Sequence, residues 1–312
     1  MPVEGFKPDL SKAVGHVGEP DIVACTRRDY LLYALSIGIP EDELRWLYEL
    51  DIDFGPFPTY PVSLLLKDAG WDVNSFIERW QAGGSVPGMP WYDPNKIVHG
   101  EQTVEVINPF PVEGGRFRSV KTLRGVYDKE SGMLLDSVID LYGEKDNVHY
   151  YRLSLGMFVR DYGGWGGPKG PKQKSYTPPN RPADATDTFS TTRSQALIFR
   201  LNGDFNPLHA DPNIAQAVGF PRPILHGLCS YGKSAHSILK NFGDNDRLRF
   251  KSIHARFAKP VLPGETVTIS MWKVPGPEPK TEGVIFSAKV GDRVVLSNGL
   301  AVLYKEPQES KL

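Results

Sequence analysis

Residues 202–212 read NGDFNPLHADP and place two carboxylates and one histidine within eight positions. Asn, Gly, Asp and Pro end and cap helices, so composition alone predicts a turn between two helices here. Asp204 and His209 lie five residues apart on this compact stretch, and Pro207 between them restricts the backbone. A carboxylate and an imidazole that meet at one point can exchange protons with a bound water, which is general acid-base chemistry. We therefore take Asp204 and His209 as a candidate acid-base pair.

The flanking sequence predicts how this loop is held. Apolar residues at helical spacing predict a helix over residues 194–201, which Asn202-Gly203 would end. Asp211-Pro212 has the pattern of an N-cap followed by proline at the first helical position, and Gly219 would end that short helix. Capping accounts for Asp211, whereas no such role accounts for Asp204.

A second segment, residues 219–239, begins with two prolines and continues as a run of apolar and small residues, which is typical of a buried helix. The start of a helix presents unpaired N–H groups and the positive end of the helix dipole. Gly227 lies at this start, and a glycine lets a substrate approach the backbone closely. An N–H that faces a carbonyl oxygen gaining negative charge forms an oxyanion hole. For the neighbouring His226 side chain, packing or capping is the favoured interpretation.

Two stretches about 150 residues apart repeat one order of patterns, which indicates duplication at the scale of a domain. In each, segments with helical spacing precede three alternating runs punctuated by Gly, Pro and Asp. The predicted helices are 30–37, 41–50, 194–201 and 225–242, and the predicted strands are 104–114, 117–128 and 133–143, then 253–264, 266–274 and 283–291. The pattern predicts an α+β fold of two antiparallel sheets, each wrapped on a long helix. The double hot-dog is one candidate for it.

Residues 163–182 are rich in Gly, Pro and Lys without periodicity, which is typical of a linker. The phosphate-loop spacing is absent from them. We therefore expect an N-terminal half over 1–162, a linker over 163–182 and a C-terminal half over 183–312.

Composition excludes several classes of protein. The 312 residues include 36 basic and 37 acidic side chains, so the charge balance does not favour nucleic-acid binding. The apolar stretches are too short for a membrane span, and the N-terminal residues lack a signal-peptide pattern. Cys25 and Cys229 follow no disulfide or metal spacing. The final residues, Ser310-Lys311-Leu312, form the tripeptide that the peroxisomal import receptor binds, which predicts a peroxisomal location.

The two segments around the loop carry a family resemblance. Residues 203–209 (GDFNPLH) and 221–229 (PRPILHGLC) resemble the hydratase 2 motif of MaoC-type (R)-specific enoyl-CoA hydratases. The likeness is closest to the hydratase 2 portion of peroxisomal multifunctional enzyme type 2 and extends to residues 99–102 and 255–260. It implies a double hot-dog fold whose C-terminal half is catalytic and whose N-terminal half makes room for the acyl chain. Residues 35–40 (LSIGIP), where the repeat should supply a second loop, contain no Asp or His.

The resemblance also implies an activity, the reversible addition of water to a trans-2-enoyl-CoA to give the (3R)-3-hydroxyacyl-CoA. It implies that CoA belongs to the substrate, that no separate cofactor or metal is needed, and that the chain forms a homodimer. By motif position, Asp204 and His209 would hold the water, Asn206 would help to position it, and the Gly227 N–H would bind the thioester oxygen. The candidate CoA or acyl contacts are His99, Gly100, Lys129, Phe257 and Arg256. Lysine and arginine suit phosphates, although a solvated charge is an equal interpretation of Lys129 and Arg256.

Other functions remain open at this point. His209-Ala210-Asp211 with His226 or His254 imitates the triad of non-haem iron oxygenases, against which the capping pattern of Asp211 weighs. An acyl-CoA thioesterase of the same fold, a dehydratase of a specialised acyl-CoA in secondary metabolism, and a CoA-binding module with a vestigial loop are the further alternatives.

Overall fold

The computed structural model of the chain describes residues 5–67, 69–70, 72–73, 86–172 and 174–308. Its strands form one ten-stranded antiparallel sheet in the order β1-β3-β4-β5-β2-β7-β10-β9-β8-β6. The strands are β1 (Asp21–Thr26), β2 (Ile97–Val106), β3 (Gly114–Asp128), β4 (Gly132–Gly143), β5 (His149–Arg160), β6 (Ala185–Ser190), β7 (Phe250–Phe257), β8 (Thr266–Pro275), β9 (Thr281–Val290) and β10 (Arg293–Tyr304).

The strand order shows the predicted duplication. Reading outward from the pair β2 and β7, each half contributes its strands in the same sequence, so β1 corresponds to β6, β3 to β8, β4 to β9 and β5 to β10. The halves meet where β2 pairs with β7, from Glu101 opposite Arg256 to Glu105 opposite Ser252. The two predicted sheets are therefore one continuous sheet, because the edge strands β2 and β7 of the two halves form hydrogen bonds with each other.

The helices among the described residues are α1 (Leu10–Ala13), α2 (Arg27–Ser36), α3 (Leu44–Leu47), α4 (Pro61–Leu64), α5 (Gln195–Phe199), α6 (Pro212–Ala217) and α7 (Gly227–Phe242). Helix α7 packs on one face of the sheet against β6, β7, β8, β9 and β10, and every residue from Leu228 to Leu239 is buried. This confirms the predicted buried helix. Within the described part of the chain, none of the helices has the length and apolarity that crossing a bilayer requires.

Several strand predictions were wrong in extent. The strand expected over 253–264 is β7, which ends at Phe257. The strand expected over 104–114 is β2, which ends at Val106, because the Asn-Pro-Phe-Pro sequence that follows cannot continue a ladder. The strand begins at Ile97, so residues 99–102 lie inside β2. The sequence also predicted three strands in each half, whereas each half has five.

The helix predicted over residues 41–50 is also shorter than expected. Only α3 forms there, because side chains of the segment bind the C-terminal half and the helical hydrogen bonds do not continue on either side. Glu43 accepts hydrogen bonds from His236 at 2.8 Å and Lys240 at 2.7 Å, and Trp46 donates to the side chain of Asn245 at 3.2 Å. A tertiary contact has overridden a weak local helical preference.

The face of the sheet away from α7 carries ion pairs that bridge neighbouring strands. Arg124 pairs with Asp136 at 2.6 Å and Arg152 with Asp140 at 2.8 Å. Strand residues alternate between faces, so this face is polar while the face under α7 is apolar.

Candidate active site

The predicted loop lies between α5 and α6, and glycine shapes its first turn. Helix α5 continues as a 3-10 turn, Arg200–Asn202, and Gly203 follows with φ +124°. A Cβ on Gly203 would lie 2.7 Å from the backbone nitrogen of Lys67, in the N-terminal half. The left-handed backbone and the close approach both require glycine at this position.

A second 3-10 turn, Pro207–His209, carries the histidine, and Asn206 caps it by accepting the Leu208 N–H at 3.0 Å. Asp211 accepts the Asn213 N–H at 2.7 Å and caps α6, which confirms its predicted structural role. Asn206 thus has a capping role that the sequence did not suggest, and its predicted part in positioning water stays a prediction.

Asp204 and His209 come together as the spacing predicted. A carboxylate oxygen of Asp204 and a ring nitrogen of His209 lie within 4.8 Å of each other. One water at about 2.8 Å from each atom would bridge this gap. The Asp204 carboxylate accepts the Asn206 N–H at 3.3 Å, which orients it within the loop. The pair is therefore placed to hold one water.

The tautomer of His209 follows from its partner. Its Nδ1 lies 2.8 Å from the carbonyl oxygen of Ile224, which can only accept a hydrogen bond. Nδ1 must therefore carry the hydrogen, and the lone pair of the neutral ring is on Nε2. His209 is 9 % exposed, so that lone pair lies in a sheltered site suited to proton transfer.

His226 supports both members of the pair. Its ring stacks on His209 with centroids 3.6 Å apart, and its Nε2 donates to the backbone oxygen of Asp204 at 3.3 Å. Burial, the neighbouring His209 and Arg200 hold the pKa of His226 well below its ordinary value, so the ring is neutral. The side chain packs as expected but does not cap α7. The sequence singled out His226 but gave no signal for this stacking.

The same three side chains have the spacing of a metal site, since their ligand atoms all lie within 4.8 Å of one another. Imidazole binds a metal through a lone pair in the plane of the ring. The planes of the two stacked rings differ by only 26° with their centroids 3.6 Å apart, so the in-plane lone pairs lie in two nearly parallel planes and are poorly placed to meet at one ion. The geometry suits proton transfer better than metal binding.

The alternative iron triad is also not assembled. The carboxylate of Asp211 is used as a helix cap, and His254 lies on β7 with its Nδ1 2.9 Å from the Thr103 hydroxyl. Neither side chain belongs to the cluster that His209 forms.

Gly227 begins α7 beside Phe257, the last residue of β7. A Cβ on Gly227 would lie 2.6 Å from Cδ1 of Phe257. The Phe257 ring in turn lies 4.8 Å from the ring of His99, on β2. His99 Nε2 is buried and has no hydrogen-bond partner among the described residues. Three of the predicted residues thus line one corner of the site, at the seam between the halves.

The other predicted CoA contacts lie elsewhere. Arg256 is on the face of the sheet opposite Phe257 and pairs with Glu101 at 3.0 Å; it lines a cavity of about 430 Å³ there. Lys129 follows β3 and donates to the backbone oxygen of Lys169 in the linker at 2.6 Å. Gly100 sits in a bulge of β2, where a Cβ would lie 3.1 Å from a backbone oxygen. The close backbone oxygen leaves little room for a side chain at Gly100. The role of Arg256, Lys129 and Gly100 in binding CoA stays a prediction.

Comparison with known proteins identifies the family. Residues 24–161 match the MFE-2 hydratase 2 N-terminal domain, and residues 174–289 match the MaoC like domain. A probable enoyl-CoA hydratase 2 of Dictyostelium discoideum is 36% identical over 299 residues, which cover 95% of this chain and 96% of that protein. The peroxisomal multifunctional enzyme type 2 of Mus musculus is 37% identical over 295 residues, which cover 92% of this chain and 37% of that enzyme.

Solved structures agree. The crystal structure of a MaoC-like dehydratase from Phytophthora Capsici superimposes with a TM-score of 0.85 at 34% identity, and the match covers 96% of this chain and 98% of that one. A protein of Mycobacterium tuberculosis described as a double hotdog fold matches with a TM-score of 0.56 at 11% identity, covering 96% and 98% of the two chains, which bears on the fold alone. The predicted double hot-dog is confirmed, and the chain is an enzyme that belongs to the MaoC-like hydratase 2 family.

Proposed function

We propose that the enzyme hydrates trans-2-enoyl-CoA to (3R)-3-hydroxyacyl-CoA and catalyses the reverse dehydration. The observation that carries this is the pairing of Asp204 with His209 within 4.8 Å, a gap that one water would bridge, beside the start of α7. Water is a weak nucleophile and C3 of an enoyl thioester is only modestly electrophilic, so the site must activate both.

Each group has one task in this reaction. One member of the pair takes a proton from the bound water as its oxygen bonds to C3, and the other gives a proton to C2. The Gly227 N–H, with the positive end of the α7 dipole behind it, stabilises the negative charge on the thioester oxygen while C2 has enolate character. Because Asp204 and His209 lie on one loop, the oxygen and the proton reach the same face of the double bond. A single stereochemical product follows.

The neutral His226 ring contributes by holding the pair in position. A charged ring stacked at 3.6 Å would repel a protonated His209 and make proton transfer to it less favourable. Burial keeps the pKa of His226 low, which removes this repulsion. His226 therefore takes no part in proton transfer, and Asp204 and His209 alone exchange protons with the water and the substrate.

The first experiment uses purified protein with crotonyl-CoA and decenoyl-CoA, without added metal or nucleotide. Loss of the enoyl-thioester ultraviolet absorbance, without release of free CoA thiol, is the expected result. Thiol release would instead assign a thioesterase. If the protein hydrates no enoyl-CoA of any chain length, the proposed hydratase activity is wrong. A profile of the rate across chain lengths and branching would identify the preferred acyl chain.

We further propose that the enzyme works in peroxisomal fatty-acid β-oxidation as a homodimer. The matched mouse relative bears a peroxisomal name, which supports the location. The receptor tripeptide Ser310, Lys311 and Leu312 lies outside the described residues. A fluorescent fusion at the N-terminus should enter peroxisomes with the tripeptide and remain outside without it, and light scattering should give twice the mass of one chain.

A further inference from the structure

We infer that Ser36, in the N-terminal half, is a positioning residue that holds both parts of the active site in register. Ser36 ends α2, next to the loop that has lost its catalytic groups. The inference rests on the proposed function, since it concerns the same loop and the same helix start.

Ser36 lies at a buried junction and is 0 % exposed. Its hydroxyl donates to the backbone oxygen of Tyr33 at 2.8 Å and accepts from the side-chain nitrogen of Asn202 at 2.9 Å. Its backbone oxygen accepts from the side chain of Gln195 at 2.6 Å and from the thiol of Cys229 at 3.4 Å. Three partners of Ser36 thus come from the other half of the chain.

Those partners belong to the elements that carry the chemistry. Asn202 is two residues before Asp204, and it also binds the Phe199 backbone oxygen at 2.8 Å. Cys229 is two residues after Gly227, within the first turn of α7. One residue therefore connects the acid-base loop to the helix start that would bind the thioester oxygen. The relative placement of these groups is what the reaction depends on, and misplacement by about 1 Å can cost about a hundredfold in rate.

The internal repeat explains why Ser36 occupies this place. Helix α2 follows β1 as α5 follows β6, and each is succeeded by a glycine with positive φ, Gly38 at +75° and Gly203 at +124°. Ile39 then takes the position that corresponds to Asp204, and it is 5 % exposed. In the N-terminal half the counterpart of the catalytic loop therefore carries the apolar Ile39, and Ser36 just before it binds the catalytic loop through Asn202.

Removing the hydroxyl leaves one N–H of the buried Asn202 amide without its partner, whereas the Tyr33 carbonyl still accepts the Ile37 N–H at 3.0 Å. An unsatisfied buried group makes the surrounding arrangement unfavourable, so the 3-10 turn before Asp204 is expected to shift. We expect Ser36→Ala to lower kcat at least about fivefold while KM changes less than about twofold. The reason is that the loop with Asp204 and His209 is displaced, whereas the contacts that bind the substrate are not.

The matched control is Ser234→Ala. Ser234 is also 0 % exposed, and its hydroxyl also donates to a backbone oxygen one turn earlier, that of Ser230, at 2.8 Å. It lies within α7 and makes that bond inside its own helix. The control should lose comparable thermal stability and keep its kcat, which separates positioning from general loss of packing.

The decisive comparison is a double-mutant cycle with Asn202→Ala. If Ser36 acts through Asn202, each single variant has a lower kcat than the wild type. The kcat of the double variant should then lie within about twofold of the kcat of the less active single variant. Independent, multiplying losses would overturn the inference, as would a Ser36→Ala enzyme with the kcat of Ser234→Ala. If Ser36→Ala does not fold, Asn202→Ala against Ser234→Ala gives the same test.

Failure of this inference is distinct from failure of the proposed function. A wild-type protein that hydrates no enoyl-CoA removes the function itself. An active wild type with an unaffected Ser36→Ala removes only the role of Ser36.

Discussion

Replacing Gly227 with alanine tests the start of α7 as the donor to the thioester oxygen. The added Cβ would lie 2.6 Å from Cδ1 and 2.9 Å from Cε1 of Phe257. Ordinary contacts begin near 3.4 Å, so either the ring or the helix start must move by about 0.8 Å. The ring is held on its other side by His99, at 4.8 Å between centroids, which limits how far it can yield.

The expected loss follows from this displacement. Loss of one oxyanion donor costs about 10² to 10³ in kcat, and a misplacement of about 1 Å costs about 10². We therefore expect Gly227→Ala to lower kcat about a hundredfold with decenoyl-CoA, measured from the initial loss of enoyl-thioester absorbance. Adding Phe257→Ala removes the ring, and the double variant should recover at least about tenfold over Gly227→Ala alone.

Gly232→Ala is the control for steric strain within the same helix. A Cβ there would also lie 2.6 Å from a neighbour, the hydroxyl of Tyr33, but its N–H is inside the helix and faces no substrate. This control should lose stability and keep its kcat within about fivefold. A Gly227→Ala enzyme with wild-type kcat would refute the assignment of the oxyanion donor, and so would a loss equal to that of Gly232→Ala.

Further predictions concern the loop backbone and the response to acid. Gly203→Ala should lower both kcat and the melting temperature, since its φ of +124° and its contact with a neighbouring backbone nitrogen leave no room for a Cβ; a fully active, fully stable variant would contradict this fit. His99 should contribute at most about 3 kcal/mol to the fall in the free energy of unfolding as pH drops from 6.5 to 4, because burial lowers its pKa to about 4 and the unfolded chain binds the proton first; the difference between wild type and His99→Gln in urea denaturation measures this share, beside the shares of the buried His226 and the partly buried His254. A second fall is expected between pH 4.5 and 2, because hydrogen bonds from His236 and Lys240 outweigh the effect of burial and lower the pKa of Glu43 to about 2; an unchanged second fall in Glu43→Gln would assign it to other carboxylates.

The parts of the site that the sequence predicted are those with local signals. Asp211-Pro212 is a helix cap and Gly227 begins a buried helix, and both follow from residues within one turn. The approach of Asp204 to His209 was predictable for the same reason, since five residues on a compact loop limit their separation.

The parts that could not be predicted depend on contacts between the halves. Ser36 and Asn202 are 166 residues apart, and neither position carries a local pattern that indicates the other. Residues 41–50 have helical spacing but bind Asn245 and α7 instead, so local preference gave a longer helix than the fold allows.

The sheet shows the same division. Alternation predicted β3, β4, β8 and β9 closely, but the joining of the halves through β2 and β7 required knowing which edges meet. Lys129 and Arg256 illustrate the limit for ligand contacts. Their charge predicted phosphate binding, which stays a prediction, whereas the pairing of Arg256 with Glu101 and the bond of Lys129 to the linker depend on residues far away in the sequence.

The most direct test of the central claim compares two aspartates of the same loop. Asp204→Asn removes the proposed proton-transfer group, while Asp211→Asn makes the same chemical change at a helix cap, which asparagine also forms. The measurement is the rate at which each variant hydrates decenoyl-CoA, with the chirality of the product determined for the wild type. The account predicts the (3R) product, a loss of at least about a hundredfold for Asp204→Asn and near wild-type activity for Asp211→Asn. Equal activity of the two variants would contradict it.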